Sequence, residues 1–147
     1  MSSIDEVDQK SQYNNILSSR PRLCHLKKWS IEQGYGFHLY SNNNSNLNLI
    51  GNIDFDSPAE ATGLKKNDYI IEINNKCIDN KSHEEVVELI RSGVDIEGKI
   101  YKDEVIILVI DSETKEYCDQ LNIEINSKNM KNILKFVTPA KTEISTN

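Results

Sequence analysis

A chain of 147 residues, 37% hydrophobic and 7% aromatic, suggests one domain with poorly structured ends. Its net charge of −6 argues against a general nucleic-acid binder, which carries a basic face. Three scattered cysteines, Cys24, Cys77 and Cys118, show no CxxC spacing, which argues against a disulfide framework or zinc site and for free thiols in a reducing compartment.

No run of about 18 apolar residues is present, so no membrane-spanning helix is expected. The opening "MSSIDEVDQKSQ" is acidic and polar, unlike a secretory signal. The expected location is cytoplasmic.

In chain order, residues 1–19 lack periodicity and read as a disordered arm. "RLCHLK" (22–27) alternates weakly, as an edge strand does. "GYGFHLYS" places Gly34 and Gly36 around Tyr35 and runs into a strand. "NNNSN" (42–46) is a turn, and "LNLIGNI" (47–53) is a strand interrupted by Gly51. "DSPAEATGLKKND" has the grammar of a short helix: Ser57 as N-cap, Pro58 in the first position, Glu60 completing a capping box, Gly63 as stop. "DYIIEINN" (68–75) reads as a strand into an Asn-Asn turn, with 76–78 returning. "KSHEEVVELIRSG" is the clearest helix, with Ser82 and Glu85 as a second capping box and Gly93 as stop. "VIILVI" (105–110) has the length and continuous apolarity of a central strand covered on both faces. Beyond it, "SETKEYCDQL" suggests a short helix. The apolar positions 130, 133, 134 and 137 have helical spacing, and 138–147 read as unstructured. The organisation predicted is an arm (1–19), a domain (20–112) and a C-terminal extension (113–147), partly helical with a disordered end. The fold class predicted is mainly β with two α-helices, a small, mostly antiparallel sandwich.

Period-two alternation puts Tyr35, Phe37 and Leu39 on one face, and His38 and Tyr40 on the other. Helical spacing puts His83, Val87 and Ile90 on one stripe. With that stripe facing 37–41, a groove forms between a helix face and an exposed strand edge. Such an edge accepts an extended peptide as an added strand. Gly34 and Gly36 allow successive N–H groups to converge into an anion-binding nest at the closed end. The natural anion there is a C-terminal carboxylate.

"GYGF", "SPAEATGL", "DYIIEINN" and "HEEVVELI", in this order and spacing, resemble a PDZ domain over roughly residues 20–112. "RPRLCHLKK", "GYGFHLYS" and "VIDSETKEY" are most similar to the PDZ domains of the sodium/hydrogen-exchanger regulatory factor (NHERF) family. The resemblance implies a six-stranded β-sandwich capped by one short and one long helix. It would be a scaffold or adaptor module, not an enzyme, with no catalytic residue, metal or cofactor. It implies a carboxylate-binding loop of Gly34, Tyr35, Gly36 and Phe37 assisted by Lys28, and a pocket of Tyr35, Phe37, Leu39, Val87 and Ile90 for the ligand's last side chain. His83 would bond Ser or Thr two residues before the end, giving the pattern Ser/Thr-x-hydrophobic-COOH. Partners implied are C-terminal peptides of membrane transporters, channels or receptors. The module would then be recruited through them to the inner face of the plasma membrane.

His38 and Asp54 are candidates for secondary specificity. The family's basic residue on the third strand, which reads an acidic fourth-last ligand residue, is replaced here by Gly51. The 29–33 segment is longer than usual, and "GVDIEGKIYK" (93–102) expands the loop before the last strand. Two alternatives stand beside this reading. One is peripheral membrane binding, with lipid headgroups held by Lys27, Lys28, Lys65 and Lys66. The other is a thiol hydrolase using Cys24 or Cys118, although no orienting residue or oxyanion donor is recognisable.

Overall fold

The computed structural model describes residues 20–42 and 46–141. The expectations for the 1–19 arm, most of the 42–46 turn and the last six residues lie outside the described residues.

The elements follow in order as β1 (Arg22–Lys27), β2 (Phe37–Asn42), β3 (Asn46–Ile53), α1 (Pro58–Ala61), β4 (Asp68–Ile73) and β5 (Lys76–Cys77). After these come α2 (His83–Arg91), β6 (Val94–Ile96), β7 (Lys99–Tyr101), β8 (Glu104–Asp111), α3 (Ser112–Gln120) and β9 (Leu134–Val137). The expected mainly β class holds, with three helices rather than two and nine strands rather than six among the described residues. One sheet runs β2-β3-β4-β8-β1-β9, with β5 paired to β4.

Local chemistry explains these boundaries. Ser57 caps α1 by accepting the Glu60 N–H at 3.2 Å. The Glu60 carboxylate reaches back one residue further than a capping box requires, to the Asp56 N–H at 2.9 Å. At α2 the reciprocal box is complete: the Glu85 N–H donates to Ser82 Oγ (3.1 Å) and the Ser82 N–H to Glu85 Oε1 (3.0 Å). Asn74 and Asn75 both take positive φ, as a two-residue turn between β4 and β5 requires.

Two apolar layers result. The main core joins Cys24 and Leu26 of β1, Ile50 of β3, Ile70 and Ile73 of β4, and Val105, Ile107 and Val109 of β8 to Val86 of α2. The opposite face carries Ile71, Leu108 and Ile110, covered by Ile125, Met130 and Ile133 of the extension. β8 is therefore central and covered on both sides, as its composition predicts.

Four features depart from the sequence reading. The 93–102 segment is a β6–β7 hairpin rather than a plain loop. The 129–137 stretch is not a helix. Asn132 takes φ +61, a left-handed turn that stops a helix, and 134–137 then pair in parallel with β1. In consequence β1 is not an edge strand but lies between β8 and β9. Finally, β4 is bulged: Ile70 faces Val109 and Glu72 faces Leu108, so Ile71 is the extra residue. The bulge breaks the alternation and turns both Ile71 and Glu72 towards the extension.

Candidate functional site

β2 is the open edge of the sheet, paired only with β3 among the described residues. Alternation holds along it. Phe37 and Leu39 pack on the main core, while His38 and Tyr40 are exposed. α2 lies against β3. Its stripe runs as predicted from the exposed His83, at the first helical position, through the half-buried Val87 to Ile90, which packs on the same core as Phe37 and Leu39.

At the entrance to β2, the loop backbone is fixed from below. The Ala59 N–H donates to the Tyr35 carbonyl (2.9 Å), and the Asp54 N–H to the Gly36 carbonyl (2.8 Å). The second bond makes Phe37 and Ile53 a non-hydrogen-bonded pair of the ladder, so the Phe37 N–H faces the open side. Among the described residues, no acceptor meets the N–H of Tyr35 or of Gly36. Three donors thus stand free at one end of an open strand edge.

Of the two glycines, only Gly36 is conformationally required. It takes φ +91, and a Cβ there would fall inside the Ser57 side chain. Gly34 has neither constraint. The expectation that both glycines are needed for their backbone freedom is corrected to one.

Tyr35 is buried, with its ring 6.1 Å from that of Phe37. Its phenolic oxygen is buried without a hydrogen-bond partner among the described residues. Burial, then the charges of Asp103 and Glu104, push its pKa well above the ordinary tyrosine value. Lys28 Nζ sits 5.2 Å from the centre of the Tyr35 ring and 3.8 Å from Asp103 Oδ1, beside the loop. His38 Nε2 and Asp54 Oδ1 are 3.3 Å apart on the exposed side. Gly51 is buried in a β2–β3 bulge, where a Cβ would lie 3.3 Å from the His38 carbonyl oxygen. It offers no side chain to a ligand.

The sequence reading missed one support of this loop. Trp29 Nε1 donates to the Pro139 carbonyl at 2.8 Å, and Lys141 lies 5.1 Å from the Trp29 ring centre and 3.6 Å from Asp56. No local pattern announces a contact across 110 residues.

The thiols proposed for a hydrolase are both buried. Burial raises the Cys24 pKa to about 11 and also raises that of Cys118, the reverse of an activated nucleophile. His25 faces Glu104 instead, at 2.6 Å. Among the described residues, no group of His, Cys, Asp or Glu is arranged to hold a metal, and no helix is long and apolar enough to cross a membrane.

The mouse Na(+)/H(+) exchange regulatory cofactor NHE-RF2 is 38% identical over 104 residues, covering 71% of this chain and 28% of that protein. The rabbit NHE-RF2 is likewise 38% identical over 104 residues, covering 30% of its length. The chicken NHE-RF1 is 43% identical over 76 residues, 52% of this chain and 22% of that protein. The chain spans under a third of the length of the curated relatives it matches. The solution structure of the third PDZ domain of human hDlg5 is similar at 20% identity and a TM-score of 0.45, over 63% of this chain and 69% of that one. The family model of the PDZ domain matches residues 24–101, more than half of the sequence, and the chain belongs to the PDZ family.

Proposed function

We propose that this chain is a peptide-binding adaptor module that captures C-terminal tails of partner proteins as a strand added to β2. The observation that carries the reading is the cluster of unpaired N–H groups of Tyr35, Gly36 and Phe37 at the end of an open sheet edge. They receive the terminal carboxylate, and Lys28 adds positive charge beside it. The last side chain of the ligand enters the space bounded by Tyr35, Phe37, Leu39, Val87 and Ile90. His83, exposed at the head of α2, bonds Ser or Thr at the third-last position. The second-last and fourth-last side chains point to the other face, where His38 and Asp54 meet them. With glycine at position 51, selection for an acidic fourth-last residue is weak.

Four or five ligand residues bury less than about 1,200 Å², the low end for specific contacts. Burial of a terminal Leu contributes roughly 1.5–3 kcal/mol. Each charge-assisted hydrogen bond adds a similar amount, about 1.5–3 kcal/mol, before ordering costs. The expected dissociation constant is about micromolar, which suits reversible scaffolding. Relatives named as regulatory cofactors of Na(+)/H(+) exchange favour tails of membrane transporters, channels or receptors as partners, with recruitment from the cytoplasm to the plasma membrane.

The test compares a Ser/Thr-x-Leu peptide carrying a free carboxylate with the same peptide amidated, by isothermal titration. Amidation should weaken binding at least about 100-fold, the equivalent of two lost charge-assisted bonds. Equal affinities would remove the reading.

A further inference from the structure

A cavity of about 330 Å³ lies on the sheet face opposite the main core, between β4, β5, α3 and the 123–126 segment of the extension. Its size falls at the lower end of the range for small-ligand sites. Its apolar wall is Ile71, Ile123 and Ile125, and its polar wall carries four carboxylates, Glu72, Asp79, Asp119 and Glu124, against one ammonium, Lys115. Lys115 is already engaged, by Asp119 and by the Tyr69 ring 4.8 Å away. Asp79 accepts from the Tyr69 hydroxyl at 3.3 Å.

Glu72 is the unusual member. The β4 bulge delivers it to this face, where it is 7% exposed. One oxygen, Oε2, accepts the Ser127 N–H at 2.9 Å. Among the described residues no other donor, and no cation, meets this carboxylate. Its other oxygen keeps an opening to the cavity, where a donor from outside can reach it. Glu124, at the rim, likewise has no cationic partner among the described residues.

We propose that this cavity is a second recognition site, which takes an arginine or lysine side chain from a bound protein segment. The alkyl stem lies along the isoleucines, and the charged head reaches Glu72 and Glu124. The site is separate from the β2 groove, so both can be occupied together.

Cys77 lines the same cavity and is exposed, whereas Cys24 and Cys118 are buried, so its thiol reports on the site. A trimethylammonioethyl and a sulfonatoethyl methanethiosulfonate are reacted with the full chain at low salt, and both rates are normalised to a small free thiol. The cationic reagent should be favoured about tenfold. That preference should fall at least threefold in Glu72→Gln and in Glu124→Gln, the second an exposed change that spares the fold. In parallel, N-acetylarginine amide should give saturable millimolar NMR shifts at Tyr69, Ile71 and Cys77, unaltered by a saturating groove peptide. The citrulline analogue should give none. A preference indifferent to both variants, or equal shifts with citrulline, overturns the proposal. So does competition by the groove peptide, or tighter binding of butylamine than of an arginine tripeptide amide.

Discussion

The two sides of the sheet's hydrogen-bonding path have been treated in opposite ways. β2 carries its open edge unpaired, with Phe37 and Leu39 held by the core and the free N–H groups of the loop at one end. β1, which would be the other open edge, is closed by β9. The Leu134 N–H bonds the Pro21 carbonyl and the Thr138 N–H the His25 carbonyl, both at 2.9 Å. Thr138 Oγ1 adds a bond from the Lys27 N–H at 3.1 Å and one to the Pro58 carbonyl at 3.3 Å. β9 in turn is only four residues long and carries an exposed lysine, Lys135, features that discourage further pairing. Of the two edges, β1 and β2, only β2 is left open to pairing among the described residues, the one at which the proposed ligand strand would add.

The contrast can be broken most severely at the extension. Deleting 113–147 uncovers Ile71, Leu108 and Ile110 and reopens β1. At roughly 1.5–3 kcal/mol per buried aliphatic side chain, the loss is about 4 kcal/mol or more, measurable by urea unfolding, and a shift to oligomers in sizing should accompany it. A deletion variant as stable as the full chain would mean that the second apolar layer contributes nothing. Gly36→Ala disturbs the β2 side alone. Positive φ and the Ser57 overlap should lower stability by about 1–3 kcal/mol and abolish peptide binding, while Gly34→Ala leaves both unchanged. His83→Ala should keep stability and lose about 1 kcal/mol of affinity for Ser or Thr ligands, but little for a Val-containing control; equal losses would remove its assigned role. The smallest effect concerns pH. The hydrogen bond from the Ser82 N–H, and then one from its side chain, hold the Glu85 pKa below its ordinary value. Its contribution is complete above the unfolded value of about 4.3 and is lost as pH falls through the lower folded value. Glu85→Gln should flatten that part of the acid unfolding profile.

The elements around the proposed groove were legible because their signals are local. Capping at Ser82, alternation after Gly36 and the i, i+4, i+7 stripe from His83 each sit within a dozen residues. What escaped depends on distant partners. Met130, Ile133, Leu134 and Val137 have helical spacing, but only Met130 and Ile133 pack on the second apolar layer, and Val137 is exposed. Which backbone they adopt was decided by the left-handed Asn132 and by a free β1 edge more than 100 residues away. The β4 bulge was equally silent, since "YII" reads as apolar in either register. Its outcome, a glutamate turned inward, shows only in the paired strands.

The parallel alignment of β1 and β9 has a mechanical consequence. One begins near residue 22 and the other ends near 137, so these boundaries lie at opposite ends of the shared ladder. Tension applied across the domain would shear the two against each other, loading their bonds together rather than unzipping them singly. The domain would resist pulling along that axis best.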